Sequence, residues 1–201
     1  MGLAVSTWVV VLIKDFGSAK QRLQPVLGPK SRRALARRNA RLAVRAAAAG
    51  DHVLVVAGGE GVADLAETWG AEVLLEPRQE GQNVAAARGI ARAVEGGAQA
   101  VLLLSSDLPL VTIGAVREVL VSASRIEAPV AVAVPAVGRG GTNALYLRPP
   151  GAMTLHFGSD SLAKFRQEAE NAGVNFAVHQ SDAMALDLDE PGDLARLRRA
   201  V

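Results

Sequence analysis

The sequence predicts an α/β protein: one three-layer domain in which helices cover both faces of an open, mostly parallel sheet. Apolar runs of strand length alternate with Ala-rich helical segments along the whole chain, the rhythm of repeated β-α-β units. The clearest runs, TWVVVLI and AVLLL, are almost uninterrupted, as strands buried on both faces are. Half of the 201 residues are hydrophobic and only 3% are aromatic. The core must therefore be built from Val, Leu and Ala, which suits helices packed closely on a Val-rich sheet. A chain of this length fits a single domain, 1–201.

The first strand is predicted over Thr7–Ile13, followed by the loop KDFGSAKQRLQPVLGPK. Residues 31–49 read as a long helix, with Pro29 near its start and Gly50 just past its end. His52–Ala57 is the second strand, 61–69 a short helix, and Glu72–Leu75 a third, shorter strand. A helix over 83–95 is closed by Gly96-Gly97. Residues 100–104 form the central strand, and a helix over 112–124 follows Pro109. Strands are predicted over 130–134 and 144–147, separated by the turn-rich GRGGTN stretch. A helix over 159–172 ends at Gly173, short strands follow at 174–178 and 185–188, and a last helix occupies 192–200.

Several function classes are excluded early. With no cysteine, the chain has no disulfide, no thiolate–zinc site and no Cys nucleophile. A net charge of +2 and so few aromatic platforms argue against a nucleic-acid binder. The opening MGLAVSTWVVVLIKDFG lacks a basic leader and is too short to span a bilayer, so a cytoplasmic protein is expected. Arg32, Arg33, Arg37, Arg38, Arg41 and Arg45 crowd one helix. They suit a solvated face, or the attraction of a nucleoside triphosphate. His52, His156 and His179 show no metal-ligand spacing.

In an open α/β sheet, ligands bind beyond the carboxyl ends of the strands. The polar residues with chemical potential fall there. Ser105-Ser106-Asp107-Leu108-Pro109 follows the central strand, and Asp107 there suits either a hard cation such as Mg²⁺ or a turn before proline. In Leu186-Asp187-Leu188-Asp189, strand alternation puts Asp187 and Asp189 on one face, although Asp189 also suits a helix cap. Lys14, Lys20 and Arg22 surround Phe16-Gly17-Ser18-Ala19, a loop able to cradle a triphosphate yet unlike a Walker A sequence. Gly138–Asn143 offers glycines for close approach together with Thr142 and Asn143 as donors. Gly158 and Ser161 sit where a helix begins, a place favourable to phosphate or carboxylate.

Together these segments resemble one family. KDFGSAKQRL (14–23), GQNVAAARG (81–89), SSDLPL (105–110), GTNAL (141–145), FGSDS (157–161) and DLDEPGDL (187–194) occur in the order found in the 2-phospho-L-lactate / phosphoenolpyruvate guanylyltransferases of coenzyme F420 biosynthesis. The resemblance implies a nucleotide-diphosphosugar-transferase-like fold. It implies that GTP and a small phospho-acid react to give a guanylylated diphosphate and pyrophosphate. It assigns Asp107, Asp187 and Asp189 to Mg²⁺, and Thr142, Gly158 and Ser161 to the phospho-acid. Lys14, Lys20, Arg22, Gly81 and Asn83 fall to the nucleotide, and Asp107 and Lys20 to the chemistry itself. Departures are Gln21, Gln82 and the Leu-Ala-Lys that follows Ser161. The Ala- and Arg-rich composition suggests a high-GC bacterium, and because bacterial members of the resembled family lean to phosphoenolpyruvate, the resemblance ranks it ahead of 2-phospho-L-lactate as acceptor. A homodimer and hand-over of product to the next enzyme of F420 assembly are further expectations. The rival readings are a nucleotidyltransferase for 3-phosphoglycerate, a sugar phosphate or molybdopterin, and a nucleotide-binding module without turnover.

Overall fold

The computed structural model describes residues 5–138 and 140–200. Seven strands form one sheet: β1 Thr7–Ile13, β2 His52–Ala57, β3 Glu72–Leu75, β4 Ala100–Ser105, β5 Val130–Pro135, β6 Thr142–Arg148 and β7 Asn175–Val178. Their order is β3-β2-β1-β4-β6-β5-β7. β1, β2, β3 and β4 run parallel, β6 is antiparallel to both neighbours, and β7 is parallel to β5. The expected α/β class and mostly parallel sheet are therefore present.

The helices are α1 Pro29–Ala47, α2 Glu60–Thr68, α3 Gln82–Glu95, α4 Ile113–Ser124, α5 Ser161–Ala172, α6 Asp182–Ala185 and α7 Pro191–Ala200. Strand alternation splits the core in two. Val9, Val11, Leu102 and Leu104 face Ala36, Ala40, Ala43 and Val44 of α1, with α2 and α4 beside it. Val10, Val101 and Leu103 face Ala85, Ala86 and Ala93 of α3 and Phe165 of α5.

Small residues let these helices lie close to the sheet. At Gly89 in α3, a Cβ would stand 2.5 Å from Val10 Cγ1 and 2.9 Å from Val56 Cγ2. Both neighbours are buried and β-branched, so neither can swing away. Gly89→Ala should therefore destabilise the protein by about 1–3 kcal/mol, despite alanine's better helix propensity, as chemical denaturation will show.

Helix ends differ from the sequence-based limits by a residue or two. Pro29 occupies the first turn of α1, and Thr112 caps α4 by accepting from Ala115 N at 3.1 Å. Most of the arginine row is a solvated face: Arg33, Arg37, Arg38, Arg41 and Arg45 are exposed, whereas Arg32 turns inward to Gln21 Oε1 at 2.9 Å. Arg139 of the glycine stretch lies outside the described residues, as do 1–4.

One element is corrected. Residues 185–188 are not a strand: α6 ends at Ala185, and 186–189 cross the end of the sheet without joining a ladder. Both sides of β4, β6 and β5 are already taken, so no strand there has a free edge for the segment to join. Leu188 N bonds instead to Asp107 O at 3.2 Å. The strand-alternation argument for Asp187 and Asp189 falls with it. No helix among the described residues is long and apolar enough to cross a membrane.

Candidate active site

Parallel strands deliver their following loops to one edge of the sheet. There the segments after β1, β3 and β4, with Val56 near the end of β2, enclose a cleft of about 340 Å³. Its lining includes Lys14, Lys20, Arg22, Gly81, Asp107 and Asp189, all anticipated from sequence. Because β6 is antiparallel, its start lies at this same edge: Ala144 pairs with Leu104, which places Thr142 and Asn143 beside the end of β4.

Lys20 is the centre of the arrangement. It adopts a left-handed conformation, φ 58°, which costs a non-glycine residue about 1–3 kcal/mol. That backbone turns the side chain inward until only 1% of it is exposed. Its ammonium sits 2.7 Å from Asp107 Oδ1 and donates to Leu188 O at 2.5 Å. Three loops are thus tied by one cation. The Asp107 carboxylate keeps 40% of its surface exposed, so it stays open to the cleft. Its carbonyl accepts from Leu188 N, and from Asn39 Nδ2 at 3.4 Å.

Asp189 also lines the cleft and pairs with Arg22 at 2.9 Å, while Arg22 reaches Glu190 at 3.5 Å. Asp187 is half-buried and is not among the described residues that line the cleft. Among those residues, no three Asp, Glu or His groups gather as a metal cluster. Mg²⁺ does not require one, since it is commonly held by one or two carboxylates plus phosphate oxygens and water. Asp107 and Asp189, two hard carboxylates on one cleft, fit that donor pattern.

The residues assigned to the phospho-acid form a second group across β4. Ser161 Oγ donates to Thr142 Oγ1 at 3.0 Å, and both residues are buried. Gly158 has φ +126°, a conformation open to glycine but rarely to other residues. Asp160 precedes α5 without a side-chain capping bond. Asn83, which the resemblance assigns to the nucleotide, is not among the described residues that line the cleft. Its amide donates to Phe157 O at 3.1 Å and accepts from Phe157 N at 2.8 Å, joining the start of α3 to the segment entering Gly158. That segment is also anchored by Glu168, whose carboxyl is held below its ordinary range by hydrogen bonds from Thr154 and then His156.

Asn143, singled out in the sequence as a donor, spends its amide on the backbone, whereas Asn39, Glu76 and Gln79 drew no notice there. Asn143 Nδ2 donates to Met184 O at 2.8 Å and to Ala185 O at 3.1 Å, fixing the chain just before Asp187. Asn39 is fully buried in the Ala face of α1, and its lone polar side chain among Ala36, Ala40 and Ala43 was the available signal. Glu76 and Gln79 line the cleft beyond β3.

Charged groups gather past β1 and β4, at the carboxyl edge of the sheet where open α/β folds bind their ligands. Over its whole length the chain has the fold of the nucleotide-diphospho-sugar transferases. One solved nucleotidyl transferase, from Methanothermobacter thermautotrophicus, superposes with a TM-score of 0.65 over 97% of each chain, at 14% identity. At that identity the likeness carries the fold alone. Residues 7–198 match the guanylyl transferase CofC-like family, and the chain belongs to it. It is 42% identical to the phosphoenolpyruvate guanylyltransferase of Rubrobacter xylanophilus over 96% of this chain and 94% of that one. It is 33% identical to the 2-phospho-L-lactate guanylyltransferase of M. thermautotrophicus over 96% and 84% of the two chains. The protein is thus a guanylyltransferase of this family.

Proposed function

We propose that the chain transfers GMP from GTP to phosphoenolpyruvate, releasing pyrophosphate, in the assembly of coenzyme F420. The observation that carries this reading is the Lys20–Asp107 pair at the boundary of two sites. On one side lies the cleft with Lys14, Arg22 and Asp189; on the other lie Thr142, Ser161 and Gly158.

The reaction is a displacement at the α-phosphorus of GTP. A phosphate oxygen of the acid forms the new P–O bond as the bond to pyrophosphate breaks, and the electron pair leaves with pyrophosphate. The attacking oxygen is already anionic at neutral pH, so no general base is needed, in keeping with a site built without histidine. The difficulty is bringing two polyanions together in line. Lys14 and Arg22 screen the triphosphate, Lys20 holds the Asp107 loop in place, and Thr142 and Ser161 orient the acceptor. Asp107 and Asp189, with Asp187 as the third expected ligand, would hold Mg²⁺, which supplies charge neutralisation on the phosphates.

A second reading, 2-phospho-L-lactate as acceptor, has its support in the archaeal relative named for that acid. Pyrophosphate release tests both. The protein is given Mg²⁺ and GTP with phosphoenolpyruvate, 2-phospho-L-lactate or 3-phosphoglycerate in turn, with ATP and Asp187→Asn as controls. Release that needs GTP, phosphoenolpyruvate and Asp187 is the expected result. Release with another acid alone replaces the acceptor. No release from protein that still binds GTP rejects the reaction.

A further inference from the structure

We infer that Glu76 is the residue that reads guanine, through the paired N–H groups of its Watson–Crick edge. The inference rests on the guanylyl-transfer reading and deepens it.

The cleft is polarised along the sheet. At one end stand Lys20, Arg22, Asp107 and Asp189. At the other, Leu12, Val56 and Ala85 give an apolar floor, rimmed by Glu76, Gln79 and Gly81. Glu76 follows β3 and Asp107 follows β4, and β2 and β1 lie between them. Three inter-strand steps separate these strands by about 14 Å, the span of a nucleotide laid from base to phosphates. With the phosphates at the cationic end, the base falls on the apolar floor beside Glu76.

Glu76 is built as a reader. Its side chain is only 7% exposed, although nothing in the transfer chemistry uses it. Arg88 of α3 holds Oε1 at 2.9 Å and also bonds to Glu80 and, at 3.1 Å, to Arg78 O. One guanidinium therefore fixes the carboxylate and the loop around it. Glu76 Oε2 has no hydrogen-bond partner among the described residues. An ionised carboxylate only accepts hydrogen bonds. Guanine presents N1–H and the N2 amino group side by side, two donors for one carboxylate. Adenine presents the N1 lone pair at the corresponding place, which a carboxylate repels. Hypoxanthine keeps N1–H and lacks the amino group. Gln79 is committed elsewhere as a donor, through Nε2 to Gly58 O at 2.8 Å.

The test is equilibrium binding of GTP, ITP and ATP with Mg²⁺ to the full chain, wild type and Glu76→Gln, by calorimetry. A hydrogen bond to a charged group predicts that the wild type prefers GTP to ITP by roughly 10- to 100-fold. In Glu76→Gln this ratio should fall to within about threefold, because the amide offers one acceptor and an opposing donor. Mere loosening of the loop would weaken both nucleotides together and leave the ratio unchanged. A variant that keeps the wild-type ratio overturns the assignment, as does a wild type that binds GTP and ITP equally. The wild-type comparison needs no variant to fold. A wild type that binds none of the three nucleotides overturns the guanylyl-transfer reading itself.

Discussion

A Lys20→Met variant is expected to remain folded and to lose about 10²–10³-fold in turnover, read as pyrophosphate release. The expectation follows from where the charge sits. The ammonium is removed from water and held between Asp107 and the Leu188 carbonyl. A preorganised cation in such a place holds the Asp107 loop and the 186–189 segment in position without rearranging at the moment of reaction. Methionine fills similar volume and bears the same left-handed backbone cost as lysine. Asp107, being 40% exposed, can recover water when its partner is gone. Stability should therefore drop by no more than about 1 kcal/mol.

Asp107→Asn should behave differently, although it breaks the same ion pair. Here the buried partner is left behind: a lysine side chain 1% exposed, with no carboxylate beside it. Removing one member of a buried pair costs ~3–5 kcal/mol, and the partial exposure of Asp107 reduces that to about 2 kcal/mol. Turnover should also fall by at least ~10²-fold. Urea denaturation of the two variants side by side checks the asymmetry. Equal losses of stability would mean that Lys20 is less enclosed than the geometry shows.

The first strand and the central strand were legible because a seven-residue Val-rich run and AVLLL leave few alternatives. The 185–188 segment was misread for a physical reason. Its Leu-Asp-Leu-Asp pattern has strand period, but pairing depends on whether a neighbouring strand has a free edge, and that is a property of the finished sheet. Asp107 stood out because a carboxylate ended an apolar run. Asn83 was assigned to the nucleotide by the family resemblance alone, and its hydrogen bonds to Phe157 join positions far apart in sequence. Glu76 drew no notice because a glutamate after a short strand is ordinary on its own. Its burial and its hold by Arg88 on the next helix give it meaning.

The strap over 186–189 has a consequence for how the site comes apart. Strands of the sheet share a ladder, so loosening one disturbs its neighbours. The strap is held by individual bonds, among them Leu188 N to Asp107 O and Lys20 to Leu188 O. Its opening is a local event with its own, smaller free energy, independent of global unfolding. The Asp189 carboxylate, which lines the cleft, can thus leave and rejoin it while the seven-stranded sheet stays intact.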